Sequence, residues 1–228
     1  MLPGPTDADV VAIGGVPTPE RVMAHYPHGV FPWPHDDMPL LWFSPDPRFV
    51  VPLGEAHLPR SLKKTMRKTP YRITADQAFT EVMRGCQRAE RVGQRGTWIT
   101  DQMVDCYTEL HRRGVGHSAE AWLDGELVGG LYGLAFGDVF FGESMFATRP
   151  DASKVAFGTL LAQLTLWGYH TVDCQTYTDH LERFGARDIP RETFLAALAD
   201  NRRRPERFGT WQMTIDSRAA VEILKNVS

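Results

Sequence analysis

Asp173 and Gln175 are the residues of this sequence whose types and spacing most directly suggest chemistry. They end an apolar segment, residues 169–175, that predicts a buried strand, although Asp and Gln are poor strand formers. Residues two apart share a strand face, so the carboxylate and the carboxamide should point together, with Cys174 on the other face. Such a pair can orient a neutral amine and stabilise positive charge developing on it. The alternative is a strand end capped by polar residues; Cys174 has no evident base and is not expected to be a nucleophile.

A second candidate is Glu143, in the segment GESMF (142–146) of an otherwise apolar strand. Period 2 predicts that Phe141, Glu143 and Met145 share one face. A carboxylate beside Met and Phe is costly unless it has a partner. The choice is therefore between a buried structural hydrogen bond and the floor of a pocket that binds an amine or hydroxyl.

A third candidate is a basic stripe within RSLKKTMRKTPYR (60–72), which has six basic residues and no acid. Five of them fall at helical spacing on one face: Arg60, Lys63, Lys64, Arg67 and Lys68. Like charges at that spacing repel, so a phosphate backbone is the natural counterpart. The alternative is a solvated helix face.

Four aromatic residues lie in loop or edge contexts: Phe31, Trp33, Trp42 and Trp98. Tryptophans in such positions can stack on a nucleic-acid base. The alternative is that they fasten two parts of the fold together.

Composition restricts the class of protein. The 228 residues are 43% hydrophobic and carry a net charge of −3, so any nucleic-acid partner must be held by a local patch. Three scattered cysteines without a CxxC pair argue against a disulfide framework or a cysteine-rich zinc site, and no metal site is expected. The first residues, MLPGPTDADV, lack the pattern of a secretory signal, and no apolar run would span a membrane. We expect a cytoplasmic protein, and with no heptads a monomer.

The elements that must position these residues predict an α+β protein. Eight prolines between residues 27 and 59 predict a small, irregular N-terminal domain over residues 1–58, and residues 59–228 form a regular second domain. The predicted helices cover 59–68, 76–87, 100–113, 152–167 and 191–199. The predicted strands cover 40–44, 48–53, 117–123, 127–136, 139–146, 169–175 and a region near 208–215. An antiparallel meander, a helix and a further strand match the core of GNAT-type acyltransferases, whose sheet is mostly antiparallel.

The sequence resembles the leucyl/phenylalanyl-tRNA–protein transferases over roughly residues 12–200. Eleven short motifs occur in that family's order: FPW (31–33), LLWFSPDPR (40–48), RSLKK (60–64), TWIT (97–100), HSAEAW (117–122), LVGGLYG (127–133), FFGESMF (140–146), ASK (152–154), DCQ (173–175), HLERFGA (180–186) and IPR (189–191). The resemblance implies transfer of Leu or Phe, less often Met, from aminoacyl-tRNA to proteins with N-terminal Arg or Lys in the bacterial N-degron pathway. It also implies a small N-terminal domain before a GNAT-like domain, and no cofactor.

The resemblance also implies roles for residues of this chain. Asp173 and Gln175 would be catalytic, and Trp42 and Trp98 would hold the terminal adenosine of tRNA. The amino-acid site would be formed by Leu131, Glu143, Ser144, Met145, Phe157, Leu160 and Leu164, and the RSLKK helix would bind tRNA. The chain departs from the family pattern at Val16-Pro17 after Gly14-Gly15, and the sizes of Phe157 and Leu164 bear on the preference among Leu, Phe and Met.

Two functions of other classes compete with this one. A CoA-dependent acetyltransferase on the same fold would carry a glycine-rich phosphate turn, and TRPDASKVAFG (148–158) has no such glycines. A non-catalytic RNA-binding protein would leave GESMF and DCQ unexplained. Within the transferase reading, either Gln175 positions the attacking amine with Asp173 polarising it or taking up positive charge, or the terminal hydroxyls of tRNA shuttle the proton.

Overall fold

Two β-sheets of unequal size organise the computed structural model, which describes residues 9–34, 38–89, 97–201 and 208–227. The strands are β1 (Val10–Ile13), β2 (Phe31–Trp33), β3 (Leu41–Phe43), β4 (Arg48–Pro52), β5 (Arg72–Ala75), β6 (Gly116–Leu123), β7 (Glu126–Phe136), β8 (Val139–Ala147), β9 (Thr171–Gln175) and β10 (Arg187–Ile189). The α-helices are α1 (Pro19–His25), α2 (Arg60–Met66), α3 (Phe79–Arg88), α4 (Asp101–Arg112), α5 (Ala152–Leu166), α6 (Asp179–Glu182), α7 (Arg191–Asn201) and α8 (Ser217–Lys225).

The small sheet is antiparallel in the order β1-β3-β2 and lies at the N-terminal end of the chain. Thr18 caps α1, since its hydroxyl accepts a hydrogen bond from the Arg21 backbone N–H at 3.4 Å and Pro19 occupies the first turn. A 3₁₀ turn then carries Tyr26 to the entrance of β2. The N-terminal segment thus places Tyr26 just before β2, the strand that ends in Trp33.

The large sheet has the order β10-β4-β9-β8-β7-β6-β5 and is antiparallel except where β8 and β9 run parallel. Helix α5 connects those two strands, as the crossover of a parallel pair requires. The predicted α+β class and mostly antiparallel sheet are confirmed. The predicted division at residue 58 stays a prediction. Strand β4, which precedes residue 58, is an inner strand of the large sheet.

Local signals account for most of these elements. Thr100 accepts a hydrogen bond from the Met103 backbone N–H at 3.2 Å and begins α4, and Gly114, at φ +74°, follows its end. Asp124 and Gly125 both have positive φ, which a two-residue turn between β6 and β7 requires.

The C-terminal part differs from the prediction. Residues 208–215 form no strand, and helix α8 follows them, begun by the Asp216 carboxylate that accepts from the Ala219 backbone N–H at 2.8 Å. Strand β5 was not predicted either.

The two faces of the large sheet bury separate apolar clusters. One contains the inward side chains of α2, α5 and α8, and the other contains those of α3, α4 and the small sheet. Helix α5 is buried along almost its whole length, so its side chains form a continuous wall behind β7 and β8. Among the described residues, no helix is both long and apolar enough to cross a membrane.

Candidate active site

Two β-bulges lie side by side where the parallel strands β8 and β9 part. Their pairing ends at Phe141 opposite Asp173. The register between β7 and β8 passes from Tyr132–Ser144 to Gly133–Gly142, so Glu143 has no partner residue. The register between β4 and β9 passes from Phe49–Gln175 to Val50–Asp173, so Cys174 has none. Bulges bend a strand and re-aim its side chains, and they are frequent beside active sites.

The Glu143 carboxylate is the meeting point of three polar side chains. Its Oε1 accepts hydrogen bonds from the Tyr26 hydroxyl at 2.8 Å and from Gln175 Nε2 at 3.0 Å. The Tyr107 hydroxyl lies 3.3 Å from Oε2 and 2.6 Å from the Tyr26 hydroxyl. The two hydroxyls have one hydrogen each: Tyr26 donates to Oε1, and Tyr107 donates to Oε2 or, in alternation, to the Tyr26 oxygen.

This environment shifts the pKa of the Glu143 carboxyl to about 7. Burial is the largest cause, and the negative charge of Asp173 adds to it, whereas the hydrogen bonds from Tyr26, Tyr107 and Gln175 oppose it. Burial and the nearby Glu143 raise the pKa values of both tyrosines well above their usual range, so they stay protonated donors. Glu143 itself is half-buried, which leaves it within reach of a ligand.

Asp173 is fully buried and is paired with Arg48. Arg48 Nε donates to Asp173 Oδ1 at 2.8 Å and Nη2 donates to Oδ2 at 2.6 Å. Oδ1 also accepts the backbone N–H of Gln175 at 2.9 Å. Gln175 has φ +64°, a conformation that few non-glycine residues adopt, and this hydrogen bond helps to hold it. Asp173 therefore meets the backbone of Gln175, while the Gln175 amide turns to Glu143.

The bulge at Glu143 overturns the prediction that Phe141, Glu143 and Met145 share a face. Phe141 belongs to the cluster on the side of α3 and α4, whereas Met145 packs against the cluster on the side of α5. The extra residue reverses the alternation between them. The Glu143 side chain lies on the same face as Phe141, where it contacts Tyr26 and Tyr107.

Five of the seven residues predicted for an amino-acid pocket come together on the α5 side of the sheet. Leu131 lies opposite Met145 across β7 and β8, and the buried Phe157, Leu160 and Leu164 of α5 belong to the same apolar cluster. Phe157 is covered edge-on by Phe184, with ring centroids 4.9 Å apart. Ser144 lies opposite Tyr132, and so belongs to the other face.

The tryptophans are arranged differently from the prediction. Trp42 is 2% exposed, its indole stacks on His25 at a centroid distance of 4.4 Å, and its Nε1 donates to the Gly14 carbonyl at 3.2 Å. A ring so covered packs the small sheet rather than offering a face to a base. The half-buried Trp98 lies beside the half-buried Trp33 instead, with centroids 6.0 Å apart. Trp33, in the proline-flanked FPWP, carried the same loop signal as Trp42.

Comparison with known proteins identifies the family. The family model "Leucyl/phenylalanyl-tRNA protein transferase" matches residues 50–199, and the model of that family's N-terminal domain matches residues 15–46. The chain belongs to the leucyl/phenylalanyl-tRNA protein transferase family. The transferase is 50% identical over 214 residues to the leucyl/phenylalanyl-tRNA–protein transferase of Myxococcus xanthus, with 92% of each chain covered.

Two further relatives with the same name agree. The protein of Anaeromyxobacter sp. (strain K) is 52% identical over 204 residues, covering 90% of this chain and 88% of its own. That of Stutzerimonas stutzeri is 55% identical over 196 residues, covering 86% of each. A solved structure, that of L-PGS from Bacillus licheniformis, aligns with a TM-score of 0.40 and 9% identity over 91% of this chain and 69% of its own, too remote to support any conclusion. The transferase is thus an enzyme that uses aminoacyl-tRNA, rather than a CoA-dependent acetyltransferase or a non-catalytic RNA-binding protein.

The predicted tRNA-binding residues lie on α2 and just after it. The helix is shorter than expected, so Arg67 is its C-cap and Lys68 follows it. Leu62 and Met66 are buried on the inner face of the helix. Arg60, Lys64 and Lys68 are exposed, whereas Lys63 and Arg67 are half-buried, and Arg67 pairs with Glu222 of α8 at 3.1 Å. The structure therefore supplies an acid that the sequence of the stripe lacks.

Cys174 packs against the α5-side cluster, away from the Glu143 carboxylate. Burial and the neighbouring Asp173 charge raise the pKa of its thiol, so the reactive thiolate is disfavoured. Within the described residues, no three His, Cys, Asp or Glu side chains gather as a metal site would require.

Proposed function

We propose that the enzyme transfers Leu or Phe, and less often Met, from tRNA to the α-amine of proteins that begin with Arg or Lys. We further propose that it does so as a cytoplasmic monomer in a bacterial N-degron pathway. The observation that carries the catalytic part is the half-buried Glu143, whose carboxylate is held by Tyr26, Tyr107 and Gln175 where β8 and β9 part.

The chemistry needs positioning more than activation. An aminoacyl ester is already activated, so the amine nitrogen can attack the ester carbonyl directly. A peptide bond forms, the ester C–O bond breaks, and the terminal ribose hydroxyl of tRNA leaves with a proton that the amine gives up. Holding the amine about 3–3.5 Å from the carbonyl supplies much of the rate. An α-amine has a pKa of about 8, so a useful fraction is neutral near pH 7.

Within this proposal, Glu143 and Gln175 bind amine groups of the substrates. Glu143 is half-buried, and a carboxylate with a pKa of about 7 can accept a hydrogen bond from an amine or share its proton near neutrality. Gln175 presents its amide beside that carboxylate, so its carbonyl oxygen can accept from the attacking amine. Asp173 has both oxygens engaged by Arg48, which argues against its taking up the proton. We therefore give it the role of fixing Gln175.

In this proposal the two ends of the aminoacyl-tRNA are held by different sets of residues. The leucine side chain would lie against Leu131, Met145 and the α5 residues, and an apolar site rejects polar residues through the cost of desolvation. Trp33 and Trp98 form an aromatic pair of a kind that holds a terminal base. Arg60, Lys63, Lys64, Arg67 and Lys68 would meet the phosphate backbone beyond it.

A transfer assay tests the reaction and the acceptor rule together. Radiolabelled Leu-, Phe- and Met-tRNA are each mixed with the protein and with model proteins that differ only in an N-terminal Arg, Lys or Ala. The expected result is acid-precipitable label on the Arg and Lys proteins after RNase treatment. Equal labelling of the Ala protein would refute the acceptor rule, and no label from any tRNA would refute the proposed reaction.

Single-turnover rates at saturating Leu-tRNA test the catalytic roles. Gln175→Ala and Asp173→Asn should each slow transfer at least tenfold, and Cys174→Ser, which alters the same strand on its other face, should not. Near-normal rates for the first two variants would instead indicate that the terminal hydroxyls of tRNA shuttle the proton of the attacking amine.

A further inference from the structure

Arg48 is the largest fully buried side chain of the described residues, with 1% exposure. A buried guanidinium is costly unless its donors are matched, and here they are. Nε and Nη2 meet the two oxygens of Asp173, and Nη1 donates to the Gly29 carbonyl at 3.0 Å. The group also lies over the rings of Phe31 and Phe194, 5.0 and 4.8 Å from their centroids.

On one side, Arg48 controls the geometry of the bulge on β9. The Asp173 oxygen that accepts from Nε also accepts the Gln175 backbone N–H, and Gln175 then donates from its side chain to Glu143. A continuous series of hydrogen bonds therefore runs from Arg48 through Asp173 and Gln175 to Glu143. The plane of the guanidinium fixes the plane of the Asp173 carboxylate, because both of its oxygens are engaged.

On the other side, Arg48 holds the segment that enters the small sheet. Gly29, at φ +71°, follows the 3₁₀ turn that carries Tyr26, and Phe31 begins β2, which ends in Trp33. The Phe31 and Trp33 rings have centroids 6.1 Å apart. The same guanidinium thus touches the strand that carries Gln175 and the segment that carries Tyr26 and Trp33.

We propose that Arg48 is a positioning residue for the transfer reaction, which sets the placement of Gln175 and Glu143 relative to the segment of Tyr26 and Trp33. The inference rests on the proposed function of those residues. In it, the terminal adenosine of tRNA is held by the β2 side and the attacking amine by the β9 side. A misplacement of about 1 Å between reacting groups can slow a reaction about 100-fold, so a bridge that spans the two sides belongs to the catalytic arrangement.

A purely structural role for the Arg48–Asp173 ion pair leads to a different expectation for the transfer rate. Buried ion pairs can often be replaced by neutral side chains of similar volume with little loss of stability. If Arg48 only balanced the buried charge of Asp173, then a double variant that lacks both charges should transfer no more slowly than Asp173→Asn alone.

The test uses two variants of the full chain and a matched control. Arg48→Lys keeps the charge but loses the planar fork, and Arg48→Met combined with Asp173→Asn removes both charges so that no buried charge is orphaned. Arg187→Met is the control, because Arg187 lies on the adjacent strand β10 and pairs with Glu55 at the exposed surface. Melting temperature, kcat and KM for Leu-tRNA are measured for each with an Arg acceptor.

We expect kcat per folded molecule to fall at least tenfold in Arg48→Lys and about 100-fold in the double variant, with KM changed less than threefold. The control should keep both values. Wild-type kcat in folded Arg48→Lys, a double variant no slower than Asp173→Asn alone, or a loss confined to KM would overturn the positioning role. If the double variant does not fold, the Lys variant still decides the matter.

Failure of the proposed function and failure of the Arg48 proposal give different results in this experiment. A wild-type enzyme that labels no Arg acceptor overturns the proposed acceptor rule, and the variant-to-wild-type ratio is then measured with whichever N-terminus it does label. Equal rates of wild type and variants with an Arg acceptor overturn the role of Arg48 and leave the proposed function standing.

Discussion

Replacing Tyr26 by Phe should move the pH dependence of transfer. The Tyr26 hydroxyl donates to the Glu143 carboxylate at 2.8 Å and so opposes the burial that raises the Glu143 pKa. The change keeps the ring, which packs edge-on against Phe141 with centroids 5.3 Å apart, so the fold should survive. The substitution removes the donor to Glu143 and the contact with the Tyr107 hydroxyl at 2.6 Å.

The magnitude follows from the strength of that hydrogen bond. A hydrogen bond to a charged group is worth about 1.5–3 kcal/mol, and one pKa unit corresponds to about 1.4 kcal/mol. Losing a donor to the ionised form raises the pKa, so the value for Glu143 should rise from about 7 by roughly one to two units. At pH 7 the ionised fraction then falls from about one half to about one tenth or less. If ionised Glu143 is the active form, transfer at pH 7 should slow by about fivefold to fiftyfold and recover by about pH 9.

Rapid-quench single-turnover transfer from Leu-tRNA, at several pH values between 6 and 9, measures this shift. Blanks without enzyme correct for hydrolysis of the ester. Tyr177→Phe is the matched control, because its hydroxyl donates to Asp179 at 2.8 Å and lies 3.1 Å from Glu182, and neither contact involves Glu143. A loss in the Tyr26 variant that is the same at pH 7 and pH 9, or no loss at pH 7, would refute the reasoning.

Three further outcomes are expected. Trp98→Ala should raise KM for Leu-tRNA about tenfold with little change in kcat, since stacking on a base contributes about 1–3 kcal/mol; a fall in kcat alone would contradict it. Lys63→Gln together with Lys64→Gln should weaken tRNA binding and reduce the slope of log affinity against log salt by about one per lysine, and an unchanged slope in a filter-binding titration would argue against phosphate contacts. His117 is buried, which lowers its pKa against the opposing hydrogen bond of Asp76, so the unfolded chain binds the extra proton. Its contribution to stability should be complete above about pH 6.5 and decline below it, and melting curves at pH 7.5 and 5.5 should show less decline in His117→Gln.

The sequence was sufficient for features that depend on local patterns. The helix predicted over 100–113 begins at its Thr100 cap, and the strands predicted over 117–123 and 127–136 pair as a hairpin. The prediction of a strand near residues 208–215 was wrong. A better signal lay just beyond it, where Asp216 precedes the apolar residues Ala220, Val221 and Leu224 at helical spacing.

The geometry of the site depends on features that the two-residue alternation of side chains along a strand does not indicate. A bulge adds one residue without changing composition, so period 2 placed Glu143 correctly beside Phe141 but Met145 on the wrong face. Arg48 and Asp173 form an ion pair although 125 positions separate them, and the local sequence around each residue does not indicate its partner. The choice of Trp33 over Trp42 as the partner of Trp98 likewise depends on how the small sheet packs.

The sheet does not need the extra residue at Glu143, although the proposed site does. Deleting Glu143 would make the pairs Tyr132–Ser144 and Gly133–Gly142 neighbours in one uninterrupted ladder between β7 and β8. Phe141 and Met145 would keep their present faces, so both apolar clusters should survive the deletion. The bulge is thus a position that the fold can lose and the site cannot, because it carries a carboxylate from an apolar sheet to the three polar side chains that hold it.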